Sequence, residues 1–188
     1  MRKLNVSTLV TLDGVIQDPG GFQELEEGGW GGRYFDDEAQ SYALEHLRES
    51  DAFLCGRVTY EVFKEFWSQV KEGEYAQTLN QMPKFVASRT LQEPLDWNAT
   101  LLRGDVSDAV AELKRQGGRD IVIYGSAGLM ATLMERDLID EYRIWVHPLV
   151  IGTGTRLFAE GVPARGLELA ESRTLDTGVV ILVYRPVR

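Results

Sequence analysis

Cysteine and histidine are scarce in this sequence. Its 188 residues include one cysteine, Cys55, and two histidines, His46 and His147. One cysteine cannot form an intramolecular disulfide, and no CxxC pair is present to bind zinc or to run redox exchange. We therefore expect no disulfide framework and no metal site. The lone thiol favours a reducing compartment, and we expect a cytoplasmic protein.

Positive charge and long apolar runs are also in short supply. The chain has 20 basic against 29 acidic residues, and its net charge of −9 repels nucleic acid and anionic membranes. No stretch approaches the roughly 20 apolar residues of a membrane span. The first apolar run is broken at Thr11 and Asp13, so it is too short and too polar for a signal peptide. A small molecule is the expected partner.

The hydrophobic content and the order of the predicted strands and helices indicate an α/β domain. The hydrophobic content of 44% is enough for one core, so we expect a single domain over residues 1–188. Strands are predicted at residues 4–12, 52–55, 84–87, 121–124, 141–149, 167–174 and 179–184, and helices at 36–49, from 56, at 106–116 and at 127–134. The early alternation of strand and helix favours a mixed, mainly parallel sheet with helices on both faces. The short turn 175–178 predicts a C-terminal antiparallel hairpin.

A glycine-rich segment separates the first strand from the first helix. Six glycines lie between residues 20 and 32. Loops of this length in compact domains are usually lids or binding loops. Because aromatic rings stack on planar heterocycles, we predict substrate-binding roles for Trp30, Tyr34 and Trp145. Core packing is the alternative for each ring.

One predicted strand ends in a run of small residues. The sequence Tyr124-Gly125-Ser126-Ala127-Gly128 joins this strand to a helix. Small side chains let a pyrophosphate approach the backbone N–H groups, and a helix N-terminus adds about half a positive charge. We predict an anion site here. The alternative is a tight turn that uses glycine only for packing, since no complete GxGxxG motif is present.

Two further strand ends combine an arginine with hydroxyl side chains. Gly56-Arg57-Val58-Thr59 follows the second strand, and Ser88-Arg89 follows the third. Guanidinium, hydroxyl and backbone N–H groups together bind phosphate. Each arginine alone is more often solvated surface. Because ligands in open α/β sheets lie beyond the carboxyl ends of the strands, the three turns are predicted to converge on one crevice.

These turns belong to ordered blocks that resemble the dihydrofolate reductase-like superfamily. The blocks are Leu12-Asp13-Gly14-Val15-Ile16, Gly56-Arg57-x-Thr59-Tyr60-Glu61, Ser88-Arg89, Tyr124-Gly125-Ser126-Ala127 and the run from His147 to Phe158. The last block is most similar to the riboflavin-biosynthesis reductase domain, the C-terminal half of bifunctional deaminase-reductases. The resemblance covers nearly the whole chain. It implies a dihydrofolate reductase-like three-layer sandwich and an NADPH-dependent oxidoreductase.

The resemblance also implies where NADPH would bind. The adenosine end with its 2′-phosphate, the pyrophosphate and the nicotinamide would be held in turn by three groups of residues. The implied cofactor site comprises Leu9, Ile16, Gly56, Arg57, Thr59, Ser88, Arg89, Tyr124, Gly125, Ser126, Ala127, Gly128 and Leu129. Arg57, Thr59, Ser88 and Arg89 would hold the adenosine end, Gly125 to Leu129 the pyrophosphate, and Leu9 with Ile16 the nicotinamide. Two arginines near a 2′-phosphate give a physical reason for preferring NADPH over NADH.

Three residues are candidates for proton transfer: His147, Asp36 and Asp37. The resemblance places a pterin-binding carboxylate where this chain has Gln40, and the two aspartates lie about one helical turn before it. Capping of a helix N-terminus is the alternative role of both acids. His147 has a side chain that titrates near neutral pH and could donate a proton. A structural position at the strand end is its alternative.

The predicted reaction is hydride transfer from NADPH to a C=N or C=O bond of a small planar or ribosylated heterocycle. The closest named activity is 5-amino-6-(5-phosphoribosylamino)uracil reductase of riboflavin biosynthesis, for which Arg33, Arg143 or Arg156 would bind the substrate phosphate. A dihydrofolate or other pterin reductase is one alternative, and an NADPH-binding module without turnover is another. By the same resemblance we expect a homodimer, which an exposed apolar patch near the final hairpin would support.

Overall fold

The apolar runs of the sequence become the strands of an eight-stranded sheet. The computed structural model of the chain describes residues 1–22, 25–158, 160–162 and 164–187. Its strands are β1 (Leu4–Thr11), β2 (Ser50–Gly56), β3 (Lys84–Ala87), β4 (Ala99–Leu101), β5 (Asp120–Tyr124), β6 (Glu141–His147), β7 (Leu167–Thr174) and β8 (Val180–Pro186). Its helices are α1 (Asp37–Glu49), α2 (Arg57–Trp67), α3 (Glu74–Gln81), α4 (Val106–Arg115) and α5 (Ala127–Glu135), with a 3-10 helix at Trp30–Tyr34.

Most of the sheet is parallel. The strand order is β4-β3-β2-β5-β1-β6-β8-β7, and only β8 and β7 are antiparallel to their neighbours. The predicted mixed, mainly parallel sheet with a C-terminal hairpin is therefore confirmed. Parallel pairing brings the carboxyl ends of β1, β2, β3, β5 and β6 to one edge of the sheet. We call this the carboxyl edge and the opposite one the amino edge.

Helices cover both faces of the sheet. Ile121 and Ile123 of β5 join a core with residues of α4 and α5, whereas Val122 joins a core with Leu47 of α1 and Leu79 of α3. Because successive strand residues point to opposite faces, the two cores lie on opposite sides. This is the three-layer arrangement that the resemblance implies. No helix of the described residues is both long and apolar enough to cross a membrane.

Two elements, α3 and β4, have no counterpart among the predicted ones. Helix α3 buries only Ala76 and Leu79, and β4 has three residues, so neither shows an apolar period of useful length. Strand β6 also ends at His147, before the predicted residue 149. The next residue is Pro148, which has no N–H to donate to a neighbouring strand.

Lys84 is a buried charged residue at the start of β3. Its side chain is fully buried, with Nζ 4.1 Å from the centroid of the Trp97 ring. Nζ also donates a 2.8 Å hydrogen bond to the Asn80 carbonyl. That carbonyl belongs to the last turn of α3, where a cation is favourable. Burial nevertheless lowers the pKa of Lys84 to about 8.

We predict that Lys84→Met removes a pH dependence of stability. The ordinary pKa is 10.5 and the folded value is about 8, so between these values the folded protein binds fewer protons than the unfolded chain. The wild type should gain about 3 kcal/mol of unfolding free energy relative to the variant as the pH rises through this window. Chemical denaturation measures the difference, and Lys3→Met at an exposed position is the control. A difference that is constant with pH would contradict the lowered pKa.

Candidate functional site

Two of the predicted phosphate turns meet at the carboxyl edge. The Gly56 N–H donates a 3.0 Å hydrogen bond to Ser126 Oγ, and the Ser126 hydroxyl donates a 2.8 Å bond to Thr59 Oγ1. One side chain thus joins the turn after β2 to the turn after β5. The sequence indicates that these turns converge, but nothing in it marks the serine as the link.

The backbone at Gly125 and Ser126 bends sharply to reach this position. Both residues are left-handed, with φ of 58° and 62°. Glycine enters this region at little cost, whereas serine does so at roughly 1–2 kcal/mol. The two hydrogen bonds of the Ser126 side chain offset this cost. The hydroxyl is thereby held between the starts of α2 and α5.

The helices that begin at this crevice differ from α1 and α4 in their caps. Helices α1 and α4 start behind Asp36 and Asp105, whose carboxylates accept backbone hydrogen bonds. Helices α2 and α5 begin after Gly56 and Ser126, and neither residue caps its helix through a side-chain hydrogen bond. The structure describes every residue in the first turn of both helices, and none of them is acidic. Their first N–H groups and positive dipole ends stay available to an anion. The crevice is therefore suited to phosphate.

The third predicted turn lies beside the first. β3 pairs with β2 so that Ala87 is opposite Gly56, which places Ser88 and Arg89 next to the start of α2. The Ser88 hydroxyl accepts hydrogen bonds from two backbone N–H groups of its own turn. Arg89 is exposed, and so is Arg57, which donates a 2.9 Å bond to a glutamate one turn along α2. Each of the neighbouring strands β2 and β3 is therefore followed in the chain by an arginine with an exposed side chain.

The larger side chains of the predicted cofactor site lie on both sides of β1. Leu9 is partly exposed and packs with the core under α1, whereas Ile16 and Leu129 are buried in the core under α5. Tyr124 turns its ring into the protein, stacked 6.0 Å from Phe63, and burial raises its pKa to about 12. Tyr124 would therefore contribute to a cofactor site through its backbone.

The glycine-rich segment is closely packed rather than open. Trp30 is fully buried, and its Nε1–H donates a 2.9 Å hydrogen bond to the Gln17 carbonyl. A Cβ atom on Gly31 would lie 2.9 Å from Leu9 Cδ1 and 3.0 Å from the Pro19 carbonyl oxygen, so the segment presses on β1. In this conformation a substrate cannot stack on the enclosed Trp30 ring. Trp30 therefore packs in the core, which is the alternative role that the sequence left open for it.

Trp145 is part of the core as well. It is buried on the face under α1, with its ring 5.3 Å from that of Tyr42, and its Nε1–H donates a 3.2 Å bond to Ser7 Oγ. Because the Trp145 ring packs against another ring and its N–H is already hydrogen-bonded, it leaves no surface on which a substrate could stack. Tyr34, by contrast, is half-buried and keeps part of its ring accessible. Of the three aromatic residues predicted to bind substrate, Tyr34 alone retains an accessible side chain.

His147 ends β6 in an enclosed position. It is 1% exposed, and its Nδ1–H donates a 2.8 Å hydrogen bond to the Trp145 carbonyl. The Trp30 and Tyr34 rings lie 5.1 and 5.4 Å away, both edge to face. Burial lowers the pKa of His147, and backbone hydrogen bonds oppose this only in part. A neutral imidazole without access to solvent cannot pass a proton to a substrate in this conformation, which favours the structural alternative.

The two candidate acids occupy the start of α1. The Asp36 carboxylate accepts a 2.9 Å hydrogen bond from the Ala39 N–H, which is an N-cap. Asp37 is exposed in the first turn. Both positions agree with the capping alternative. Within the described residues there is also no cluster of three or more His, Cys, Asp or Glu side chains that could hold a metal ion.

The three arginines considered for a substrate phosphate lie apart. Arg143 is buried towards the amino edge, where it donates a 2.9 Å bond to Glu141, so it cannot serve the carboxyl edge. Arg156 is exposed and donates to the backbone carbonyl of Asp13. Arg33 is exposed in the 3-10 helix. Arg33 and Arg156 remain candidates, whereas Arg143 does not.

We predict that His147→Gln alters the acid side of the stability profile. The folded pKa lies below the ordinary value of 6.5, so the unfolded chain takes up its proton first as the pH falls. The wild type should therefore lose unfolding free energy relative to the variant below about pH 6.5, and not above it. Urea denaturation on both sides of this pH measures the effect, with His46→Gln on α1 as the control. Parallel profiles for wild type and variant would contradict the assignment.

The similarity to known proteins extends over nearly the whole chain. Residues 2–181 match the family described as the RibD C-terminal domain. The chain belongs to this family. Two uncharacterized proteins of Bacillus subtilis (strain 168) are similar to it: YyaP is 30% identical over 187 residues, which cover 97% of this chain and 94% of YyaP, and YwjB is 29% identical over 185 residues, which cover 98% of each.

Solved structures share the fold of this RibD C-terminal domain. A putative riboflavin biosynthesis protein from Shewanella sp. PV-4 superposes with a TM-score of 0.76 at 22% identity, over 100% of both chains. A diaminohydroxyphosphoribosylaminopyrimidine deaminase/5-amino-6-(5-phosphoribosylamino)uracil reductase from Thermotoga maritima gives 0.66 at 14% identity, over 99% of this chain and 57% of that one. These similarities confirm the dihydrofolate reductase-like fold.

Proposed function

We propose that this chain is an NADPH-dependent reductase that transfers a hydride to a C=N or C=O bond of a small heterocyclic substrate. The observation that carries the proposal is the junction of the turns after β2 and β5, where Ser126 is bonded to Gly56 and Thr59. This junction lies at the carboxyl edge, where open α/β sheets bind their ligands. Membership of the RibD C-terminal domain family supports it.

The start of α5, together with that of α2, fits the pyrophosphate. The first N–H groups of both helices have no side-chain cap, so they can donate to phosphate oxygens. The approach to Gly128 is open, because a Cβ atom at this position would meet nothing within 4 Å. Ala127 and Leu129 would flank the phosphates on the first turn.

We assign the 2′-phosphate of the adenosine end to Arg57 and Arg89. Both side chains are exposed, and among the described residues Arg57 pairs with Glu61 in an exposed ion pair. Such pairs contribute little and exchange readily. A phosphate dianion would offer both guanidinium groups stronger, charge-assisted hydrogen bonds.

When bound, the cofactor supplies the hydride. The residues of the chain bind it and orient it. Trp30, Tyr34 and His147 form one packed aromatic group, and Tyr34 packs against the same core as Leu9. We assign the proton to solvent, because His147 is enclosed and the Asp36 carboxylate is occupied as a helix cap.

The proposed substrate class is an aminopyrimidine ribosyl phosphate, closest to that of the riboflavin pathway's 5-amino-6-(5-phosphoribosylamino)uracil reductase. Tyr34 would stack on the heterocycle, and the exposed Arg33 or Arg156 would bind the phosphate. The Cys55 thiol is free and buried, and burial raises its pKa to about 12, so it is unreactive. This fits the cytoplasmic location that we propose.

Turnover tests the proposal directly. Purified protein mixed with NADPH and the ribosylaminopyrimidine phosphate should consume NADPH, followed by its absorbance, in proportion to the substrate added. The unphosphorylated ribosylaminopyrimidine should react more slowly if an arginine binds the phosphate. Tight NADPH binding without oxidation across a panel of heterocycles would instead favour a binding module without turnover.

The 2′-phosphate site predicts cofactor selectivity. Arg57→Ala combined with Arg89→Ala should weaken NADPH binding by at least about tenfold and leave NADH binding nearly unchanged, because only NADPH carries the 2′-phosphate. Titration calorimetry with both cofactors measures this. Arg115→Ala, which removes an exposed helical ion pair on α4, is the matched control. Equal losses for the two cofactors would refute the assignment.

We also propose that the protein is a homodimer formed through its final hairpin. Strand β7 lies at the end of the sheet, and all eight of its residues are exposed. Leu167 and Leu169 present apolar side chains there. An exposed edge strand offers unpaired backbone groups to a second chain, and apolar residues on it favour association.

The dimer proposal predicts that Leu169→Lys shifts the protein towards the monomer. A charge in the middle of the interface would be buried without a partner. Sedimentation at micromolar concentration should show a dimer for the wild type and a lower mass for the variant. Leu12→Lys, at an exposed leucine of the carboxyl edge, is the control and should leave the mass unchanged. A monomeric wild type would disprove the proposal.

A further inference from the structure

The loop that follows β6 is fastened to the turn that follows β1. This loop, residues 148–157, belongs to no helix or strand, and we call it the β6 loop. Three backbone N–H groups join the two segments, in bonds of 2.8–2.9 Å from Leu12 to Leu149, from Ile16 to Thr155 and from Leu157 to Gly14. Because β1 and β6 are parallel, the joined segments lie together at the carboxyl edge.

The carboxylate of Asp13 binds the backbone of the β6 loop. Asp13 Oδ1 accepts a 3.3 Å hydrogen bond from the Ile151 N–H, and Oδ2 accepts a 2.8 Å bond from the Gly152 N–H. The Thr11 hydroxyl donates a further bond of 2.6 Å to Oδ1. The bond from Thr11 is the main reason why the pKa of Asp13 lies below its ordinary value. The carboxylate is therefore ionised at neutral pH and holds the loop.

The backbone carbonyl of Asp13 holds the same loop at a second point. It accepts a hydrogen bond from Arg156 Nη1, further along the β6 loop. Between the two points the loop bends at Gly152 and Gly154, whose φ angles of 86° and 112° lie in the region that favours glycine. Asp13 therefore fixes both the bend of the loop and the arginine that follows it.

Arg156 is held in place, but its charge is not neutralised. The side chain is exposed, and among the described residues its guanidinium makes a single hydrogen bond, to the Asp13 carbonyl, and no ion pair. Arg57 and Arg143, by contrast, are paired with glutamates. A guanidinium group has five N–H donors, so most of those on Arg156 stay available. It can therefore give charge-assisted hydrogen bonds to an anion.

Arg156 lies on the nicotinamide side of the carboxyl edge. It is bridged to Val15, and the next residue, Ile16, is one of the two implied to flank the nicotinamide. Arg57 and Arg89 follow β2 and β3, and β5 separates β2 from β1, a distance of about 10 Å between the two strands. An anion bound at Arg156 would therefore belong to the substrate that receives the hydride, and not to the adenosine end of the cofactor.

We propose that Asp13 is a positioning residue, which holds Arg156 where its guanidinium binds the phosphate of the substrate. Asp13 itself touches no ligand, because its carboxylate and its carbonyl are both bonded to the β6 loop. The proposal rests on the proposed function, which supplies the ribosyl phosphate as the substrate class.

Charge and position predict opposite effects of the Asp13 carboxylate. A negative charge near a bound phosphate repels it, so its removal would strengthen phosphate binding if charge alone mattered. If Asp13 positions Arg156, its removal releases the β6 loop and weakens phosphate binding. The three backbone bonds between the two segments remain, so the fold should survive the change. The sign of the change in affinity therefore tests the proposal.

Ribose 5-phosphate is the probe, because it carries the phosphate and requires neither NADPH nor turnover. Titration of the full chain, followed by nitrogen-15 NMR, should saturate on the order of millimolar, whereas ribose should bind far more weakly. Arg156→Ala should weaken binding by at least about tenfold, and Asp13→Ala by about fivefold. Because Asp13 acts through Arg156, the combined variant should bind no more weakly than Arg156→Ala alone.

Asp105→Ala is the matched control for Asp13→Ala. The Asp105 carboxylate also accepts two backbone N–H bonds, so the two changes remove the same charge and the same kind of contact. Asp105 follows β4, which is four strands away from β1. Its replacement should change the affinity for ribose 5-phosphate by less than about twofold. Asp13→Asn keeps an acceptor oxygen, should lose less affinity than Asp13→Ala, and decides the test if Asp13→Ala does not fold.

Several results would overturn the proposal. Unchanged or tighter binding in the Asp13 variants, or additive losses in the combined variant, would remove the positioning role. A loss of affinity in Arg33→Ala, or in Arg57→Ala combined with Arg89→Ala, in place of Arg156→Ala would move the phosphate elsewhere. Turnover without binding of ribose 5-phosphate would contradict this site and leave the reductase standing. Binding that depends on Arg156 and Asp13 but is not accompanied by oxidation of NADPH would leave the site standing and contradict the reductase.

Discussion

Strand β1 is hydrogen-bonded to β5 on one side and to β6 on the other, and the alternation of its side chains determines what each face of the sheet can hold. Leu4 and Val6 face the core under α5, whereas Asn5 and Leu9 face the α1 side. Because both neighbours are parallel to β1, the strand contributes to both edges of the sheet. The carboxyl edge and the amino edge are therefore the two ends of one hydrogen-bonded ladder.

The parallel order also sets the electrostatics of these two edges. A helix that follows a parallel strand begins at the carboxyl edge, and a helix that precedes one ends at the amino edge. Positive dipole ends thus collect where α2 and α5 begin, and a negative end lies where α1 stops. The net charge of −9 says nothing about this separation. The caps distinguish the helix starts along the carboxyl edge, since aspartates precede α1 and α4, whereas Gly56 and Ser126 precede α2 and α5.

Local sequence predicts the framework well, because strand ends, glycine turns and caps are local features. The turns at Gly56 and Gly125 lie where the pattern indicates. Helix α3 and strand β4 escape prediction, because each owes its place to contacts with distant residues rather than to its own periodicity. The capping role of Asp36 could be foreseen as an alternative. The core position of Trp145 and the structural position of His147 could be foreseen in the same way, as alternatives. Sequence could not decide between them and a functional role, because residue type does not reveal which side chains surround a strand end.

The glycine-rich segment shows why the substrate side is harder to predict than the cofactor side. Glycine permits mobility, but it also permits close approach, and here Gly31 lets the segment press against Leu9. Asp18 secures the same segment by accepting from the Leu25 N–H at 3.2 Å. An anion site needs little more than small residues at a strand end, and the fold fixes their place. Substrate contacts depend on side chains such as Tyr34, whose accessibility is decided by how a long connection folds back on the sheet.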